Sequence, residues 1–241
     1  MIEIFFRELS ANLNHWAARQ RHKFIDKCAA SVIQNMDILS SIDGAFTSLN
    51  FERNHLKNVP YFKSRKDLYK YCLDNSNNSG ACLEFGVYKG DSINLMAKLH
   101  PSKSFTGFDS FEGLPEKWTT GAPKGAFNVN NRLPKVRDNI KLIPGFFENT
   151  LENFLTYTKL DNGISLIHID CDLYSSTKYV LKTLDPYIQK NTVIVFDELY
   201  NYGDWQEGEI KALNEYIEET GKKFHYLAYI RIGSQVAIKF D

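Results

Sequence analysis

Apolar residues follow two rhythms along this chain, and the rhythm changes near residue 80. Before that point Ile25, Cys28, Ala29, Val32, Ile33 and Met36 recur at steps of three and four, the spacing that lines one face of a helix. The pattern predicts a helical N-terminal extension over 1–62. Ser64, with Asp67 three residues later, reads as a helix N-cap with an acidic third position. It opens a short helix through Leu68, Tyr69, Cys72 and Leu73, which the polar run 75–80 ends.

From Ala81 onward, short apolar runs alternate with amphipathic segments, the pattern of a parallel sheet covered on both faces by helices. Strands are expected at 81–85, 104–108, 140–143, 164–169, 192–196, 224–229 and 235–239. Helices are expected after the first, third, fourth and fifth of these, the last ending at a left-handed C-cap on Gly221. Only a short turn at Gly233-Ser234 separates the final two strands, so they must pair antiparallel. The expected fold is α/β: a doubly wound, mostly parallel seven-stranded sheet with an antiparallel C-terminal hairpin, in a domain over 63–241. The stretch 110–138 has no periodicity and is too long for an ordinary connection. Holding Trp118 and Phe127, it reads as a flap over a site.

Composition narrows the functional classes. The 241 residues carry 29 Lys+Arg against 29 Asp+Glu, so no basic surplus exists to hold a polyanion and nucleic acid is not an expected partner. Apolar runs are strand-sized, and Glu3, Arg7 and Glu8 break up the N-terminus. Neither a membrane partner nor a signal segment is therefore expected, and the expected location is cytoplasmic. Cys28, Cys72, Cys82 and Cys171 lie far apart among apolar neighbours and read as reduced packing thiols. Phe5, Phe6, Leu9, Leu13 and Trp16 would give the N-terminal helices a surface for a homodimer.

Candidate chemistry gathers at the carboxyl ends of the strands. The first strand runs into EFGVYKG, from Glu84 to Gly90, and then into a helix. Glycine there lets backbone approach a ligand, and the helix offers its positive end. A dinucleotide fingerprint would need glycine at 84, 86 and 89, and only Gly86 matches. A carboxylate at 84 repels a pyrophosphate but can pair with the ammonium of an amino-acid moiety, so a nucleoside carrying an amino acid is favoured. A plain strand-to-helix turn with a solvated Glu84 is the competing account. Asp109 ends the second strand, where it can accept hydrogen bonds from both hydroxyls of a ribose, and a turn-forming Asp beside Ser110 is the competing account. Gly145 and Phe146, after the third, can pack an adenine ring.

The fourth strand ends in IHIDCDLYSST and the fifth in VIVFDELYNY. Neighbouring strands lie about 4.8 Å apart, which sets Asp170 beside Asp197, with Glu198 next along. Such crowding of carboxylates requires a cation or protons, and oxygen-only ligands suit a hard ion such as Mg²⁺. Asp170 and Asp172, two apart at the end of the fourth strand, can also aim at one cleft, and helix capping by Asp172 or Ser175 is the alternative. His168, inside a buried strand, reads as a satisfied core residue. Tyr174 and Lys178 match a Y-x-x-x-K pattern, but Asp161 stands where a dehydrogenase would place its serine, and the pair reads as part of an ordinary helix.

Taken together, EFGVYKGDSIN, GFDSFEGLPE, PGFFENTL, IDCDLYSST and FDELYNYGDWQEGE resemble the class I S-adenosylmethionine-dependent methyltransferases with a Rossmann-like fold, specifically the macrocin O-methyltransferase (TylF-type) family. The resemblance runs from about Phe62 to the C-terminus. It implies S-adenosylmethionine and, in general, Mg²⁺ as cofactors, and a hydroxyl on a sugar or other small natural-product-like molecule as acceptor. It places the donor on Glu84, Gly86, Tyr88, Gly90 and Ser92, on Asp109 and Ser110, and on Gly145 and Phe146. It places the metal on Asp170, Asp197 and Glu198. From its position nearest the first strand, Asp170 is also the candidate for the acceptor's proton, as base or metal ligand. Asp197-Glu198-Leu199 stands where the family commonly has Asp-Asp followed by Tyr.

Overall fold

The computed structural model describes residues 34–241 together with 15, 16, 19–21, 23, 24, 26 and 27. Of the expected N-terminal positions, Phe5, Phe6, Leu9, Leu13, Ile25, Cys28, Ala29, Val32 and Ile33 lie outside them, and Trp16 is exposed. Met1–Asp43 and Gly44–Asp241 form two compact units.

The larger unit is an eight-stranded sheet in the order β1-β7-β8-β6-β5-β2-β3-β4. Its strands are β1 (Tyr61–Phe62), β2 (Ala81–Phe85), β3 (Phe105–Asp109), β4 (Ile140–Pro144), β5 (Ile164–Ile169), β6 (Val193–Phe196), β7 (Phe224–Ile230) and β8 (Val236–Phe240). All seven expected strands form within a residue or two of their expected limits. β8 runs antiparallel to β6 and β7, and every other pair is parallel. The addition is β1, two residues paired with β7, too short to leave a periodic signal.

From residue 34 onward the described α-helices are α1 (Met36–Phe51), α2 (Arg65–Asn75), α3 (Asp91–Leu99), α4 (Phe147–Tyr157), α5 (Tyr174–Leu184) and α6 (Glu209–Thr220). Ser64 caps α2 as its spacing indicates: its side chain accepts from Asp67 N at 3.2 Å and donates to Asp67 Oδ2 at 2.7 Å, an arrangement worth about 1 kcal/mol. Gly221 ends α6 at φ 67°. One core cluster joins α2 and α3 to one face of the sheet through residues such as Leu68, Cys72, Ile93 and Met96. The other joins α4, α5 and α6 to the opposite face through Leu151, Leu181 and Leu213. β5 and β6, covered on both faces, are buried at every residue, whereas the edge strand β4 is buried at none. Cys72, Cys82 and Cys171 are buried free thiols.

The two units divide between Asp43 and Gly44, inside the expected extension over 1–62. Residues 44–62 belong to the sheet-bearing unit because they carry buried contacts to it: Thr47 Oγ1 accepts from Trp205 Nε1 at 2.9 Å, Ser48 Oγ accepts from Asn201 N at 2.9 Å, and Phe51 packs edge-on against Trp205. A helix read from its own periodicity does not declare its partner, so the sequence placed this segment with the extension.

Candidate active site

Strand order reverses between β2 and β5, and such a switch point leaves a crevice beyond the carboxyl ends of the strands. A cavity of about 330 Å³ lies there. Its wall holds Gly86, Tyr88, Ser92, Asp109, Ser110 and Phe146 on one side and Asp170, Asp197 and Glu198 on the other, so residues far apart in sequence share one hollow.

On the first side the backbone is tightly determined. Gly86 leaves β2 at φ 95°, and a Cβ there would lie 1.7 Å from the Asp170 carbonyl oxygen, so glycine is required for β2 to turn across the end of β5. Asp109 holds the turn: Oδ2 accepts from Val87 N at 2.8 Å and Tyr88 N at 2.7 Å, and Oδ1 from Phe111 N at 2.6 Å. With two lone pairs on each oxygen, Oδ2 is filled and Oδ1 keeps one acceptor position. The expected pair of ribose hydroxyls therefore finds room for one on this carboxylate as it stands. Ser110 Oγ donates to Gly113 O at 3.1 Å.

Three of the expected donor residues do not reach the cavity wall. Glu84 is 1% exposed; its Oε1 accepts from Ser92 Oγ and lies 3.1 Å from His168 Nδ1, which puts it behind Ser92. Gly90 is the left-handed N-cap of α3, and Gly145 donates its N–H to Asp109 O at 2.9 Å while Phe146 and Phe147 line the wall. Both glycines shape the turns that carry the lining residues.

The second side is built differently. Asp170 and Asp197 emerge from adjacent strands, as the register requires, with Asp197 N donating to Ile169 O at 2.9 Å. But Asp197 Oδ2 already accepts from Arg65 Nη2 at 2.7 Å and Gln235 Nε2 at 3.1 Å, and its Oδ1 lies 3.6 Å from His168 Nε2. The carboxylate oxygens that converge, all within 4.8 Å of one another, come from Asp170, Asp172 and Glu198. Asp172 thus takes the place expected of Asp197. It stands at φ 64°, a conformation rarely adopted outside glycine, and is nine-tenths buried. No side chain caps α5, so neither Asp172 nor Ser175 acts as the expected cap; Ser175 Oγ instead donates to Glu116 Oε1 of the flap at 2.5 Å. Glu198 Oε2 is buried without a partner, while Glu198 N donates to Oε2 of the buried Glu209 at 3.2 Å. Oxygen donors of this number, aimed at one point with an orphan among them, fit a hard divalent cation.

Electrostatics separates the acids. Burial and then the Asp197 charge push the Asp170 carboxyl well above the usual carboxylate range. Burial, followed by Asp197 and Asp109, raises Asp172 to about 7. Burial and the Asp197 charge likewise raise Glu198, and raise Glu209 behind it. Asp197 goes the other way: burial opposes its charge, but contact with His168 and then Arg65 hold it at about 2. For His168 burial disfavours the charged ring, yet contact with Asp197 and Glu84 outweighs it and brings the group to about 10. His168 is fully buried, as read from the sequence, and Tyr69 OH lies 3.2 Å from its Nε2. Asp170 and Asp172 share one cleft, as their spacing of two at the strand's end allows, whereas Arg65 and Tyr69 were not foreseen: they come from a helix about a hundred residues upstream, with no local signal.

The flap is ordered without helix or strand. Leu114 N donates to Ala126 O and Gly125 N to Leu114 O, each at 2.9 Å, and Trp118 N donates to Ala122 O at 2.9 Å. Its far end closes on the Gly86 turn, where Phe127 meets Tyr88 edge-on at 5.8 Å. Tyr174 and Lys178 sit outside this region in a cluster with Glu215.

Comparison with known proteins agrees with this geometry. Residues 83–199 match a family described as a methyltransferase domain. A relative from Streptomyces olivaceus, 8-demethyl-8-(2,3-dimethoxy-alpha-L-rhamnosyl)-tetracenomycin-C 4'-O-methyltransferase, is 27% identical over 163 residues, which cover 56% of this chain; the chain spans 59% of that relative's length. Among solved structures, the calicheamicin methyltransferase CalS11 superposes with a TM-score of 0.57 at 25% identity, covering 73% of this chain and 76% of its own. The O-methyltransferase NovP shares the fold with a TM-score of 0.52 at 19% identity, covering 73% of this chain and 78% of its own. No described helix is long and apolar enough to cross a membrane.

Proposed function

We propose that this chain, which carries a class I S-adenosylmethionine-dependent methyltransferase domain, transfers a methyl group to a hydroxyl of a sugar or similar small natural-product-like acceptor in the cytoplasm. The observation that carries this reading is the shared cavity: the glycine turn and Asp109 lie on one wall and three converging carboxylates on the other. Bound there, S-adenosylmethionine supplies an electrophilic sulfonium methyl. The chain's own work is to hold the reactants in line and to take a proton.

Gly86, Tyr88 and Ser92 present backbone and a hydroxyl to the donor's amino-acid end, with Glu84 steadying Ser92 from behind. Asp109 uses its remaining Oδ1 position for a ribose hydroxyl, and Phe146 offers a ring face to the base. A hydroxyl is a poor nucleophile while protonated. Asp170, raised in basicity by burial and by Asp197, accepts that proton at a carboxylate oxygen. The flap excludes water and keeps the two reactants together. A divalent cation such as Mg²⁺ would be held by Asp170, Asp172 and Glu198 and would supply Lewis acidity toward the acceptor oxygen. The Arg65–Asp197 pair supports a second reading, in which the protein's own cation neutralises part of the acidic wall and transfer needs no metal.

Thermal shift with S-adenosylmethionine and S-adenosylhomocysteine tests the donor site: both should raise Tm, and indifference to both overturns the proposal. Activity that survives EDTA selects the metal-free form.

A further inference from the structure

The flap contributes a group that neither donor binding nor proton transfer uses. Trp118 lines the cavity, its indole Nε1 is buried, and that N–H has no partner among the described residues. Indole N–H is a donor only, so it needs an acceptor oxygen. A buried donor left without one weakens the structure, and in native proteins such a group calls for a specific explanation. Its location narrows what can supply that oxygen. The Trp118 ring meets Tyr202 at 6.0 Å, and Tyr202 follows the acidic stretch that begins at Asp197. The indole therefore belongs to the acidic side, where the acceptor must present its hydroxyl.

The position is also prepared in advance. Trp118 N donates to Ala122 O at 2.9 Å and Gly121 N donates to Trp118 O at 3.0 Å, closing a turn about the residue. Two residues earlier, Glu116 is tied to Ser175 at the start of α5. Leu114 and Pro115 continue the same wall with apolar surface. The acceptor thus meets carboxylates on one side and, on the other, an apolar wall bearing a single fixed N–H. A saccharide ring has this mixed character, with C–H faces for the aromatic and aliphatic surface and oxygens around its rim for the donor.

Building on the methyltransferase reading, we infer that Trp118 is the residue that selects the acceptor: it packs its ring on a saccharide and donates its indole N–H to a ring substituent or ring oxygen. Trp118→Phe keeps an aromatic surface and removes only the donor; Trp118→Ala removes both.

The experiment titrates methyl α-L-rhamnopyranoside into the full-length protein saturated with S-adenosylhomocysteine. It also measures methyl transfer from S-adenosylmethionine to the same glycoside and, as a planar comparison, to catechol. For the glycoside, Trp118→Phe should raise KM about tenfold and Trp118→Ala further, with kcat changed less and S-adenosylhomocysteine affinity unchanged. An unaltered KM in Trp118→Phe overturns the assignment, as does a loss confined to donor affinity. A wild-type protein that binds S-adenosylhomocysteine but takes catechol alone, or neither acceptor, overturns the saccharide class and leaves the donor site standing. One that fails to bind S-adenosylhomocysteine overturns the methyltransferase reading itself.

Discussion

The two walls of the cavity manage buried charge in opposite ways. On the β2–β3 side, Asp109 accepts three backbone N–H groups of the chain around it, so its charge is spent on holding a turn rigid. On the β5–β6 side, Asp170 and Asp172 accept no hydrogen bond from any described residue, Glu198 has a buried orphan oxygen, and Asp172 stands in a strained conformation. Satisfied polar groups make a preorganised ligand cradle. Unsatisfied and strained ones mark a place where something from outside completes the structure, and such features concentrate where chemistry occurs. Asp197 sharpens the contrast. It lies among the acids, but its charge is balanced by His168 and Arg65 and its Oδ2 is filled by Arg65 and Gln235, which sets it closer to the first wall, although its Oδ1 is a buried orphan.

The comparison breaks most decisively at Asp170. Asp170→Asn should lower turnover by about 10²- to 10⁴-fold, the usual contribution of a general base, while S-adenosylhomocysteine binds as before by calorimetry. Full activity would return Asp170 to the satisfied class.

The next largest effect separates Asp172 from Asp197. Asp172→Asn should weaken Mn²⁺ binding, followed by paramagnetic broadening of water relaxation, by about tenfold or more, as expected when a ligand is lost. Asp197→Asn should leave Mn²⁺ binding nearly intact and lower Tm instead, because Arg65 loses its partner. The reverse outcome would make Asp197 the ligand.

Asp109→Ala tests the satisfied wall. It strands three backbone donors, each costing about 1–3 kcal/mol where water cannot replace the carboxylate, so it should lower Tm and weaken donor binding together. Weaker donor binding at an unchanged Tm would mean that Asp109 serves the ligand and not the turn. The smallest change is expected at Ser175→Ala. Its tie to Glu116 is exposed, and its loss should cost under about 1 kcal/mol of stability, with a small rise in acceptor KM.

Much of this was readable along the chain because it depends on near neighbours. The alternation from Ala81 onward fixes seven strands and their helices, since a strand buried on both faces must be apolar throughout and a covering helix must repeat every three to four residues. Ser64 with Asp67 and the terminal Gly221 mark helix ends by local hydrogen bonding and backbone freedom. From strand order alone, Gly86, Asp109, Asp170, Asp197 and Glu198 come to the same cavity.

What each of those acids does was decided elsewhere. Arg65 reaches Asp197 across 132 positions because of how α2 lies on the sheet, and His168 bridges toward Glu84 and Asp197 because β5 runs between β2 and β6. The backbone turn at Asp172 aims its carboxylate at Asp170 and Glu198, which decides between the two roles its sequence position leaves open, a shared cleft with Asp170 or a helix cap. Glu84 and Gly145 withdraw from the wall because a single turn of chain determines which side chain faces the hollow. Periodicity records whether a residue meets water or apolar surface. Which partner meets a buried charge is settled only when distant segments pack, and the burial free energy of that charge makes the choice consequential.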